Sequence, residues 1–536
     1  MTTDPLHFLN IAELGRRFRD GSLSPVNLTE HLIGRIDRLD AKLGAFRTVT
    51  RKRALGEARA AEAALKAGQD LGPLHGIPYV AKDLFDVKGE ATMAGTRLLE
   101  DNVAEADCHV VRKCAQAGMV LLGKTHTVQF AFGGVGINND LGTPHNPWNA
   151  VHHVPGGSSS GTAVSVAAGL ATVGLGSDTG GSVRIPAALC GIAGLKTTIG
   201  RIGRSGVYPL SWTLDSVGPL GRGIEDCALF YQALTGEDPE DETTHGISPH
   251  RIAPHGTAPH GTAPHGTAPP SGDGLRGMRM AFCETVFFDD VDPEVAGAVR
   301  AAGGVFESLG AQVGAIELPE VAECFTFGKR DLFIAAEALA VNGHWMDNHF
   351  EQLDPVISTR LLPGREMTAT DYFLLLRKWA ELRRKVVERM GDVEVLIVPT
   401  TMITAKPVEV AGANQDAYRE HNQKYLRNTI LGNRLDLCGA TVPCGFDGAG
   451  LPIGLMLYAK PFHEELALRA AVAFEQAAGF LGRRPDLSGA RWSHPPLGSC
   501  APSRKTPEPS PTSPITVTGL APISPRCWGG NVNSSR

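Results

Sequence analysis

Apolar residues recur along this chain in two alternating rhythms. Short continuous runs occupy residues 77–81 (IPYVA), 119–122 (MVLL), 171–175 (ATVGL) and 393–398 (VEVLIV), each flanked within two residues by glycine, proline or a charged residue. Such runs predict buried strands. Between them the pattern is helical: 25–67 reads as two helices, the second covering 51–66 and rich in alanine and charge, with further helices at 162–170 and 372–390. The alternation predicts an α/β fold in which helical layers cover a largely buried sheet.

One junction in this pattern stands out. Residues 176–191 read GSDTGGSVRIPAALCG, so the run at 171–175 leads through paired glycines into Ser182 and then a short helix at 184–190, with Pro186 in its first turn and Gly191 as its stop. Paired glycines suit a turn that needs positive φ or a close backbone approach. At this strand-to-helix corner the N–H groups of Thr179, Gly180, Gly181 and Ser182 can converge on an anion or a developing oxyanion. The plainer alternative is that Ser182 is a helix N-cap.

Composition narrows the function. With 536 residues, 42% of them hydrophobic, the chain can bury a large core, and its net charge of −6 without a basic cluster points away from nucleic acid. Ten cysteines show no CxxC pair or metal-ligand spacing, the nearest approaches being Cys108 with Cys114 and Cys438 with Cys444. Free, buried thiols in a reducing cytoplasm are the expectation. The start lacks the basic and apolar regions of a signal peptide, and no uncharged apolar run reaches the ~20 residues that span a bilayer. Two segments are expected to stand outside the fold. Residues 238–273 begin acidic and then carry PHGTA three times, which reads as a flexible low-complexity insertion rather than a metal site; residues 494–536, rich in Pro, Ser and Thr, read as a disordered tail.

Two local motifs are decoys. Residues 118–125 (GMVLLGKT) match the phosphate-loop pattern, but the positions that should form a loop are themselves a strand-type run. Residues 157–161 (GSSSG) match the nucleophile elbow of α/β-hydrolases with Ser159 as nucleophile, yet a polar, proline-broken loop at 146–155 precedes them instead of a strand. A plain Gly/Ser loop is the rival reading.

Lys82 ends the apolar run in HGIPYVAKD, where a snorkelling or ion-paired lysine is the ordinary interpretation. Together with the stretch NPWNAVHHVPGGSSSGTAVSVAAGLATVGLGSDTGGSVRIPAALCGIAGLKTTIGR and the later VLIVPTT and VPCGFDGAGLPIGLMLYAKPF, it resembles, in order and spacing over residues 5–480, the amidase signature family. The resemblance implies an α/β/α sandwich with a large mixed sheet, spanning residues 1–493 as one domain. It also implies a Ser-Ser-Lys triad: Ser182 as nucleophile, Ser158 as the bridging serine held on a cis peptide bond, and Lys82 as base. Asp178 and Arg184 are expected to brace the turn.

The chemistry follows from the residue types. A serine needs a base, and lysine serves only when neutral. Working near pH 7 to 8 therefore requires Lys82 to titrate well below the ordinary ~10.4, through burial and neighbouring positive charge. The expected activity is hydrolysis of a small linear amide through an acyl-enzyme, with no metal or cofactor, in the cytoplasm and without nucleic acid or membrane; a homo-oligomer is left open. One alternative is the glutaminase subunit of the tRNA-dependent amidotransferases. That subunit usually carries a carboxylate to read the substrate amino group, and residues 425–433 contain none. A non-enzymatic binding module is the other.

Overall fold

The computed structural model describes residues 5–250, 274–328 and 330–487. Among these, eleven strands form one sheet: β1 (Phe46–Val49), β2 (Pro78–Lys82), β3 (Val120–Thr125), β4 (Val173–Asp178), β5 (Ala193–Lys196), β6 (Ser216–Gly221), β7 (Arg279–Cys283), β8 (Gln312–Ile316), β9 (Val395–Pro399), β10 (Cys438–Phe446) and β11 (Pro452–Ala459). Their order is β1-β3-β2-β4-β6-β5-β10-β11-β9-β7-β8. The sheet is mixed: β2 runs parallel to both β3 and β4, β7 runs parallel to β8 and β9, and β4–β6 and β10–β11 are antiparallel.

Period-two alternation sends side chains to two separate cores. On β9, Val395 and Ile397 join a cluster with the helices Pro293–Ser308 and Glu464–Ala478, whereas Leu396 and Val398 join another with the helices Ala369–Met390 and Gln415–Arg434. Helices thus cover both faces, giving the α/β/α sandwich.

The runs at 77–81, 119–122, 171–175 and 393–398 overlap strands β2, β3, β4 and β9, each strand starting one or two residues into its run, and the helices occur at Pro25–Leu43, Arg51–Lys66, Ser160–Ala167 and Ala369–Met390. Strand β1, lodged between the first two of these helices, carries too few apolar residues to announce itself; it is defined by pairing with β3. β3 continues through Gly123, Lys124 and Thr125, so the phosphate-loop pattern lies within a strand. Eight cysteines fall within the described residues, all of them buried and none in a disulfide among those residues.

The boundary of the expected insertion moves. Residues 238–250 pack against the domain: Asp238 and Asp241 are buried, Asp241 pairs with Arg204 at 2.9 Å, and His250 Nδ1 meets Tyr231 Oη at 2.8 Å. The acidic start of the segment is there to neutralise a buried guanidinium. The PHGTA repeats and the tail at 494–536 lie outside the described residues.

Candidate active site

Parallel neighbours end on the same side of a sheet, and that is where β2 and β4 deliver their last residues. Tyr79 pairs with Val173 and Ala81 with Leu175, so Lys82 at the end of β2 comes beside the last residues of β4, Ser177 among them. Lys82 Nζ donates to Ser177 Oγ at 2.8 Å and to Ser158 Oγ at 2.7 Å. Ser158 arrives from the loop before the helix Ser160–Ala167, on a cis peptide bond after Gly157; Thr127 Oγ1 holds its carbonyl at 2.9 Å.

Lys82 and Ser158 are fully buried. Burial disfavours the ammonium and lowers Lys82 to about 7. The expectation of neighbouring positive charge is corrected here. The charges that act on Lys82 are the carboxylates of Asp215 and Asp178, which raise it, so desolvation alone does the lowering.

The serine corner is held by Asp178. Its Oδ1 accepts the Gly181 N–H at 2.8 Å and its Oδ2 the Val183 N–H at 3.1 Å. The second bond caps the helix Arg184–Leu189, whose N-cap residue is Val183. Ser182 is therefore not the cap, and its Oγ makes no hydrogen bond among the described residues. Arg184 closes on Asp178 through Nε at 3.0 Å and Nη2 at 2.9 Å, and it also donates to Tyr458 Oη at 2.5 Å and Asn433 Oδ1 at 2.6 Å. Burial pushes the Asp178 carboxyl up, but Arg184 outweighs this and holds it well below the usual carboxylate range.

The backbone donors divide. Gly181 N–H is spent on Asp178, which corrects its place among the oxyanion donors; those of Thr179, Gly180 and Ser182 have no acceptor among the described residues. Gly181 is needed for another reason: its φ is +133°, and a Cβ there would sit 2.2 Å from Thr429 Oγ1. Gly180 is not in the left-handed region, and a Cβ on it would meet Ile430 and Leu426 only at 3.4 Å.

Ser159 is buried and donates to Ser177 O at 3.4 Å, and a loop precedes it. One described group, His250 with Glu464 and Glu465, has metal-ligand spacing, but Glu464 is committed to Arg201 at 3.0 Å and to Thr198 N–H at 2.8 Å. Sequence pattern alone missed Ser177, Thr127, Asp215, Thr429, Asn433 and Tyr458. Only Ser177 carried a local signal, as a hydroxyl at the end of a buried strand.

A buried lysine hydrogen-bonded to two serine hydroxyls and a glycine corner with open N–H groups, carried on a mixed α/β/α sheet, mark this as an amidohydrolase. The family model "Amidase" matches residues 27–468, and the chain belongs to the amidase signature family, whose members act on carbon–nitrogen bonds of non-peptide amides. It is 36% identical over 481 residues to 2-amino-5-chloromuconic acid deaminase of Comamonas testosteroni, covering 88% of this chain and 96% of that one. It is 35% identical over 512 residues to a glutamyl-tRNA(Gln) amidotransferase subunit of Roseiflexus sp. (strain RS-1), covering 90% and 99%. The peptide amidase of Stenotrophomonas maltophilia superposes with a TM-score of 0.75 at 27% identity over 90% of this chain and 100% of that one.

Proposed function

We propose that this amidase cleaves small linear amides through a Ser182 acyl-enzyme, with Ser158 as proton relay and Lys82 as base. The observation that carries the reading is the 2.7 Å contact of Lys82 Nζ with Ser158 Oγ in a fully buried site. With Lys82 neutral, Ser158 passes it the proton of Ser182 Oγ as that oxygen adds to the amide carbonyl. The N–H groups of Thr179, Gly180 and Ser182 receive the negative charge on the carbonyl oxygen. The relay run in reverse protonates the departing nitrogen; water then adds to the acyl group by the same route and restores Ser182. Arg184 and Asp178 hold the corner still.

Above Gly180 the wall is aliphatic, made by Leu426 and Ile430, and residues 425–433 offer no carboxylate for a substrate amino group. This favours a stand-alone hydrolase, working in the cytoplasm, over a glutaminase subunit. The relative from Comamonas testosteroni makes 2-aminomuconic acids natural members of a test panel. Purified full-length chain given primary amides, arylamides and 2-aminomuconic acid should release ammonia or amine without ATP, metal or partner subunits. Protein inert on that panel, yet releasing ammonia from glutamine once the other amidotransferase components are added, overturns the stand-alone reading.

A further inference from the structure

The segment that closes on the serine corner from the β6 side brings a carboxylate that no sequence motif marks. Asp215 immediately precedes β6, the antiparallel neighbour of β4. Its Oδ1 accepts Thr179 Oγ1 at 2.5 Å, and its Oδ2 accepts the N–H groups of Leu210 at 2.9 Å and Ser211 at 3.1 Å. One oxygen is thus tied back into its own loop while the other reaches across to Thr179. The loop itself is anchored, since Tyr208 Oη donates to Asn342 Oδ1 at 2.8 Å and Ser211 and Thr213 hydroxyls donate to Glu337.

The two carboxylates acting on Lys82 differ in compensation. Asp178 is paired with Arg184 and has Lys196 of β5 acting on it as well. Among the described residues the Asp215 carboxylate has only a hydroxyl and two amides as donors; Arg204, whose guanidinium acts on it, is paired with Asp241 at 2.9 Å. No salt bridge to Asp215 occurs among the described residues. Next to Lys82 in sequence, Asp83 pairs with Lys124 at 2.7 Å, with Arg47 and Asp86 also acting on that pair, and Glu57 and Arg53 act on Tyr79 of β2.

We propose that Asp215 is a positioning residue of the amide-cleaving site: through Thr179 Oγ1 it holds the first N–H of the oxyanion corner in line. The proposal rests on the Ser182–Ser158–Lys82 reading. It accounts for a half-buried aspartate whose carboxylate, among the described residues, has Thr179, the residue that opens the corner, as its only side-chain hydrogen-bond partner.

The test uses the full chain and its best amide substrate. Asp215→Asn removes the charge and keeps the shape: kcat should fall about tenfold with KM nearly unchanged, as for a weakened oxyanion donor, and the acid limb of the pH profile should move about half a pH unit or more toward lower pH. Thr179→Val should lower kcat similarly without moving that limb, and Thr179→Ser should restore it. An Asp215→Asn enzyme with wild-type kcat and an unmoved limb overturns the proposal. If that variant does not fold, a Thr179→Val enzyme with wild-type kcat overturns it instead. The underlying reading has its own control: a Lys82→Ala enzyme that keeps activity and its acid limb sinks the triad, whereas an inactive Lys82→Ala beside a wild-type-like Asp215→Asn sinks only the role of Asp215.

Discussion

Two fully buried lysines sit one register position apart on neighbouring parallel strands and have opposite surroundings. Ala81 pairs with Lys124 and Lys82 with Thr125, so the two side chains leave opposite faces of the sheet. Lys124 meets the carboxylate of Asp83 at 2.7 Å, with Ala91 O at 2.7 Å and Thr92 Oγ1 at 2.9 Å completing its shell. Lys82 meets two hydroxyls, which accept hydrogen bonds without cancelling its charge. Burial is the same for both. The partner is what differs: Lys124 forms an ion pair with a touching carboxylate, whereas Lys82 has hydroxyl acceptors and no carboxylate in contact among the described residues.

The largest effect that tests this contrast is at Lys82. Lys82→Ala should lower kcat/KM by about a thousandfold or more, the scale of losing a general base together with an activated nucleophile. The wild-type profile carries the sign. With Lys82 as the proposed base, the neutral form is the active one, so activity should be high above about 7, where Lys82 takes its proton, and lost below it. A Lys82→Ala enzyme with most of its kcat/KM and the same profile would place the base elsewhere.

Labelling by a fluorophosphonate separates the serines. Ser182→Ala should abolish it and Ser158→Ala slow it greatly. Loss of labelling in Ser159→Ala alone would favour the α/β-hydrolase elbow.

Lys124 is the converse case. Lys124→Met strands Asp83 and should lower the unfolding free energy by about 3–5 kcal/mol in a denaturant titration, while the acid limb of the surviving activity stays in place. A limb that moves with Lys124 would mean that the two lysines are one electrostatic unit. Of these substitutions, Ser159→Ala should show the smallest effect, with labelling slowed least among the three serines.

Much of the fold was legible from local pattern. Four apolar runs became β2, β3, β4 and β9, and the glycine-rich corner after 171–175 became the turn that presents Ser182. β1 was not legible, because its four residues include only two strongly apolar ones and its pairing partner lies far along the chain. The acidic residues from 238 onward mislead for a related reason: composition records that they are charged, not that Arg204 waits for Asp241.

What the sequence determined by itself is therefore four of the eleven described strands with the helices beside them and, through the resemblance in its Gly/Ser stretch, the choice of Lys82, Ser158 and Ser182 as the candidate triad. Apolar period, turn glycines and residue order are properties of contiguous chain, and contiguous chain is what a sequence displays. Only the tertiary structure decided which groups face them. Strand order set Lys82 beside Ser177, the turn gave the Gly181 N–H to Asp178 and left three others open, and the segment before β6 put Asp215 on Thr179. Those contacts join residues that strand order and register bring together, and electrostatics at a buried site depends on distance in space.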